Sequence, residues 1–180
     1  MNICVFCASA RDLPQSYKDA ARDLGRAIGE NGHNLVFGGF DTGLMGLVAE
    51  AAKGAGAQVI GVLPCEAGGL GGRPVFACDE LLETCAMADR KAAMAQVSDA
   101  FVVLPGSYGT LDEFYTVLSE EKLMGGEARP IALYNVDGFY DPLVELDRRM
   151  VADGLLAPEK ATLYRMFDEL VPLMDYVCKR

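Results

Sequence analysis

The sequence predicts a doubly wound α/β fold, a parallel sheet with helices on both faces, as a single domain spanning residues 1–180. Three observations point there. Short continuous apolar runs recur along the chain, as strands buried on both faces require. Segments with apolar residues at helical spacing lie between those runs. The joints are short and rich in glycine, with no linker and no internal repeat. With 180 residues, 51% of them hydrophobic and 23% charged, the chain can bury roughly 70% of its unfolded surface as one unit. That composition also excludes a disordered chain.

The elements follow in order. Residues 3–7 (Ile-Cys-Val-Phe-Cys) read as the first buried strand. Asp12 and Gln15 have the spacing of a capping box, with Pro14 in the first turn, and Tyr17, Ala20, Ala21, Leu24, Ala27 and Ile28 mark the helix that follows. Asn31-Gly32 stops it, and residues 34–37 begin a second strand. Leu44, Leu47, Val48 and Ala51 trace a second helix, closed by Gly54 and Gly56. Residues 58–63 form a third strand that ends at Pro64, and residues 65–74, with four glycines, read as a long loop. A short strand is placed around residues 74–78. Met87, Lys91, Met94 and Ala95 suggest a helix up to Ser98, and residues 100–104 are the most apolar strand. A glycine turn and a helix through Leu123 come next, then a strand at 131–134, with two helices occupying much of 139–178.

Charge and composition narrow the function. The 26 acidic against 16 basic residues give a net charge of -10, and the largest basic clusters are the pairs Arg148-Arg149 and Lys179-Arg180. A binder of nucleic acid polymers needs a basic face, so that class is disfavoured, whereas a small anion held by a local site fits. No apolar run approaches 18 residues, so no membrane span is expected. The N-terminus has neither the basic region nor the apolar length of an export signal, and a cytoplasmic protein is expected. The six cysteines are scattered and read as free thiols suited to a reducing compartment. Cys4 and Cys7, three apart on a strand, would point to opposite faces. His33, in a turn-like stretch, is expected at the surface, so a Ser-His-Asp triad is hard to build.

Two strand-to-helix joints lie where an open α/β sheet binds its ligands, beyond the carboxyl ends of the strands. The first runs from Gly38 to Gly46 and the second from Pro105 to Glu113. Glycine lets backbone N–H groups approach an anion, and the helix behind adds its positive end. The same glycines can equally serve the joint alone. Neither turn has the Gly-Lys-Ser/Thr of a phosphate loop or the spacing of a dinucleotide fingerprint, which disfavours a triphosphatase or an NAD(P) oxidoreductase. Asp112 and Glu113 are placed in the first helical turn, where a carboxylate complements the dipole. Glu113 could alternatively stabilise an oxocarbenium ion or orient water. Arg90-Lys91 opens a helix, at the end where a cation is unfavourable unless it meets an anion. Asp41 reads either as the N-cap of the second helix or as a negative charge beside the ligand.

The motifs together resemble the LONELY GUY-type phosphoribohydrolases, often mislabelled as lysine decarboxylases. The stretch P-G-S-Y-G-T-L-D-E at 105–113 follows the family signature P-G-G-x-G-T-x-x-E except at Ser107. The likeness extends through I-C-V-F-C-A-S at 3–9, G-L-M-G at 43–46, V-I-G-V-L-P at 59–64 and D-R-K-A-A-M at 89–94. It continues in S-D-A-F-V-V-L-P-G at 98–106, N-V-D-G-F-Y at 135–140 and G-L-L-A-P at 154–158. The resemblance implies a Rossmann-like homodimer that hydrolyses the N-glycosidic bond of a purine nucleoside 5′-monophosphate, an N6-modified adenine nucleotide included. It implies no metal, flavin or nicotinamide cofactor. Carried over, the catalytic pair falls on Arg90 and Glu113. The nucleotide-binding positions fall on Arg90, Lys91, Gly106, Ser107, Tyr108, Gly109, Thr110, Leu111, Asp112 and Ser119. Ser107 stands for the second signature glycine, Phe40 for a glycine of the first turn, and Asp41 adds a charge beside it. The rival expectation is a non-catalytic carrier of a nucleotide or of the molybdenum cofactor, which would need the phosphate cradle but not the Arg90–Glu113 pair.

Overall fold

The computed structural model describes residues 1–65, 72, 74–124 and 128–179. In order, the elements are β1 (Asn2–Phe6), α1 (Gln15–Glu30), β2 (Asn34–Phe37), α2 (Gly43–Gly54), β3 (Val59–Pro64) and β4 (Glu80–Thr84). They continue as α3 (Met87–Gln96), β5 (Ala100–Val103), α4 (Tyr108–Met124), β6 (Ile131–Tyr134), α5 (Asp141–Ala152), β7 (Arg165–Phe167) and α6 (Leu170–Cys178). The strands form one sheet in the order β4-β3-β2-β1-β5-β6-β7, and every pairing in it is parallel.

Strand alternation divides the core between the two faces. Ile3, Val5 and Cys7 meet Leu24 and Ile28 of α1, Val48 of α2 and Leu173 of α6. Cys4 and Phe6 face the other way, toward Met94 of α3, Phe114 and Val117 of α4, and Tyr140 before α5. The two thiols thus lie on opposite sides, as the odd spacing requires. Strand order reverses between β1 and β5, which pair from Ile3↔Ala100 to Phe6↔Val103. Beyond the last pair, Leu104 N donates to Phe6 O (2.9 Å) and Ala8 N to Pro105 O (3.2 Å). This is the crevice where a doubly wound sheet takes a ligand.

Several local expectations need correction. No capping box forms at Asp12: α1 starts at Gln15 behind Pro14, and Gln15 donates to Asp19 instead (2.8 Å). A proline steers the residue before it away from helical angles, so Leu13 cannot belong to a first turn. At the other end, Asn31 Nδ2 donates to Ala27 O (2.7 Å) and Gly32 turns at φ 71°, which gives the stop signal its mechanism. Residues 74–78 contribute only one antiparallel bridge, Val75 to Phe40. The strand of that region is β4, further along. Most of the expected 65–74 loop lies outside the described residues. β7, only three residues long, interrupts the expected helical stretch before α6. His33 is half-buried rather than exposed, with Nε2 3.1 Å from Cys178 Sγ, and its burial lowers the imidazole pKa. No helix among the described residues is long and apolar enough to cross a membrane.

Candidate active site

Arg90, one turn into α3, is the centre of the site. The sequence leaves open a solvated cation at a helix start, but Arg90 is 6% exposed and each guanidinium nitrogen has a partner. Nε donates to Val62 O of β3 (2.8 Å), Nη2 to Gly38 O after β2 (3.2 Å), and Nη1 to Glu113 Oε1 of α4 (3.1 Å). A planar fork can serve two strand ends and a carboxylate at once, which a lysine cannot. The glycine at 38 follows from this, because a Cβ there would overlap Arg90 Nη2. Gly39, at φ 78°, leaves room for Leu63 in the same way. The first turn therefore spends these two glycines on seating protein side chains.

Glu113 is buried against that guanidinium, its side chain 15% exposed. Burial raises its pKa above the ordinary 4.5, and the Arg90 charge opposes the shift. The carboxylate also faces the carboxyl end of β1: burial, and then the Glu113 charge, push the thiols of Cys4 and Cys7 up. The first-turn placement of Asp112 and Glu113 is not what the structure has. α4 starts at Tyr108 with no acidic residue in its first turn, so the dipole does not account for either. Asp112 instead accepts both its bonds from Lys91 Nζ (2.9 and 2.8 Å) at the surface. Adjacent residues of α3 thus pair with adjacent residues of α4, one pair buried and one exposed.

The second glycine turn opens onto a cavity of about 540 Å3 at the β1/β5 crevice. Its lining includes Ser9, Arg11, Thr42, Gly106, Ser107 and Phe139. Thr110 is buried, and its side chain occupies the space a Cβ at Gly106 would need. Gly109 has nothing within 4 Å of such a Cβ and Tyr108 is 90% exposed, so this part of the turn faces outward. Leu111 is half-buried against the core below α4. Thr42, not Asp41, is the N-cap of α2, and it makes no side-chain capping bond. Its Oγ1 is buried without a hydrogen-bond partner. The Asp41 carboxylate lies over the first turn of the helix, where a Cβ on Gly46 would approach it to 2.5 Å.

The structure brings together Arg90, Glu113, Lys91 and Asp112, and sets Gly106 and Ser107 at the mouth of the crevice with Thr110 buried behind Gly106. It does not bring Ser119 there. That residue is exposed and lines a separate 130 Å3 cavity with Tyr115, Asp147, Met150 and Tyr164. Ser9 and Arg11 were not singled out by sequence. Ser9 falls in the 3–9 stretch of the resemblance, whereas Arg11 carries no signal beyond its position after the carboxyl end of β1. The carbonyl of Val62 carried no signal at all.

A family model described as "Possible lysine decarboxylase" matches residues 45–177. The chain is 42% identical over 183 residues to the "Probable cytokinin riboside 5'-monophosphate phosphoribohydrolase LOGL9" of Oryza sativa subsp. japonica, covering 95% of this chain and 79% of that one. It is 43% identical over 159 residues to the "Cytokinin riboside 5'-monophosphate phosphoribohydrolase LOG" of the same species, covering 87% of this chain and 64% of the relative. Among solved structures, the molybdenum cofactor carrier protein MCP from Chlamydomonas reinhardtii superposes with a TM-score of 0.74 over 98% of this chain and 94% of that one. At 23% identity, that likeness shows the fold alone.

Proposed function

The chain belongs to the LOG family of cytokinin riboside 5′-monophosphate phosphoribohydrolases, and from that premise we propose that it hydrolyses the N-glycosidic bond of a nucleoside 5′-monophosphate. Free base and ribose 5-phosphate are the products. The observation that carries the reading is the buried Arg90–Glu113 pair, set beside the strand ends where a doubly wound sheet binds its ligand. As the bond from C1′ to the base nitrogen breaks, positive charge grows on the ribose and the base takes a proton. The Glu113 carboxylate stabilises that charge and orients the water whose oxygen joins C1′. Arg90, held by two carbonyls, keeps Glu113 in place and assists the departing base. Amides of the 106–110 turn hold the phosphate. The substrate is a purine nucleotide, N6-modified adenine included. Lys91, paired with Asp112, borders the site rather than offering a lysine for decarboxylase chemistry.

The working unit in this reading is a homodimer joined near α4. Ser119, turned away from Glu113 in its own chain, would meet a nucleotide only across such a contact. The experiment is incubation with adenosine monophosphate, its N6-modified relatives and the matching nucleosides, with chromatography of the free base. Base is expected from the monophosphates and not from the nucleosides. No base from any of them defeats the hydrolase and leaves the non-catalytic carrier.

A further inference from the structure

Two thiols sit side by side at the solvent-exposed ends of β3 and β4. The two strands pair in parallel up to Pro64↔Thr84, so the next residue on each, Cys65 and Cys85, continues the register. The Cys65 amide donates to Thr84 O at 2.7 Å and its thiol donates to the same carbonyl at 2.8 Å. Thr84 Oγ1 in turn donates to Leu63 O (3.3 Å) and Ala86 O (3.4 Å), which fixes the backbone on either side. Neighbouring strands run about 4.8 Å apart, inside the Cα separation a disulfide spans. Of the six cysteines, these two alone are exposed: Cys4 and Cys7 are buried, and Cys78 and Cys178 are half-buried.

We propose that Cys65 and Cys85 are a dithiol modification site that closes to an intramolecular disulfide by exchange with a low-molecular-weight disulfide such as oxidised glutathione. One cysteine thiolate attacks the small disulfide, forms a mixed disulfide and expels one thiolate, which takes up a proton. The second cysteine attacks the protein sulfur of that mixed disulfide and expels the other thiol. Two protein thiols are oxidised and one small disulfide is reduced to two thiols, so atoms and electrons balance. Desolvation first, and the neighbouring Cys85 next, push the Cys65 thiol up, so it rests protonated and its exchange quickens as pH rises. The crosslink joins the two segments that hold Arg90, because Val62 O accepts from its Nε and Ala86 O from its backbone N–H (3.0 Å). This inference is independent of the hydrolase reading.

The test equilibrates the full chain in glutathione buffers of graded oxidation, traps thiols by alkylation and maps the peptides by mass spectrometry. The expected product is two hydrogens lighter, carries one Cys65–Cys85 linkage and reverts with reductant. Cys65→Ser and Cys85→Ser, both at exposed positions that leave the core intact, should each lack the linkage. Two thiols still alkylated in the most oxidising buffer would overturn the proposal. So would separate glutathione adducts on both residues, or a linkage to any other cysteine.

Discussion

At the scale of single residues, Glu113 carries the sharpest consequences. Replacing it with Gln keeps the size and a hydrogen bond to Arg90 but removes the charge that faces the ribosyl cation. Losing one such electrostatic term costs on the order of 10²–10³ in rate. Turnover of a nucleoside monophosphate should fall by that amount while its binding, read by calorimetry, stays within a few-fold. The raised pKa of Glu113 also gives two pH dependences of opposite sign. Activity needs the carboxylate, so kcat/KM should decline on acidification at a pH above the ordinary 4.5 of a glutamate. Stability behaves the other way. Between 4.5 and the raised value, the folded state holds a proton that the unfolded chain does not. The contribution of this group therefore grows as pH falls through that window and is lost as pH rises through the folded pKa. Denaturant unfolding of wild type and Glu113→Gln across that window should show the slope in wild type only.

Between elements, the guanidinium of Arg90 works as a tie from α3 to β2, β3 and α4. Gly38→Ala tests it without replacing either charged residue. The added methyl would overlap the end of a flexible side chain rather than backbone, so the guanidinium moves and the fold survives. Stability should drop by no more than about 3 kcal/mol. Turnover should drop by about tenfold or more, since a displacement near 1 Å can cost up to about a hundredfold. A variant with wild-type turnover would show that Arg90 need not hold that position. This tie also marks the limit of what the sequence discloses. Apolar runs locate β1, β2, β3, β5 and β6 because each is buried on both faces. The edge strands β4 and β7 are half-exposed, and β7 is only three residues long, so both lack that signal. Arg90 and Glu113 are legible through a signature. What the signature cannot show is that Gly38 exists for Arg90, since a glycine in a turn reads alike whether it seats a side chain or an anion.

For the whole molecule, the proposed dimer is the open expectation. Tyr115 of α4 is 36% exposed, and Leu146 of α5 and Leu155 just beyond it are exposed as well. Apolar residues left at a surface in this way suit a partner copy. Light scattering at micromolar concentration and physiological salt should return twice the chain mass, and a monomer there would refute the dimer. The reversal of strand order has a consequence for how the protein comes together. β1 to β4 pair only with one another except at β1, and β5 to β7 do likewise except at β5. The sheet is thus two sequence-contiguous halves zipped along one seam, whose partners, such as Ile3 and Ala100, are far apart in the chain. Each half can collapse through short loops, whereas the seam closes the longest one and bears the greatest chain-entropy cost. The crevice above that seam, with Ser9 from one half and Ser107 from the other on its walls, does not exist in either half. Ligand recognition is therefore a property of the last assembly step, and an arrested half-folded chain, however rich in native strands, is blind to its substrate.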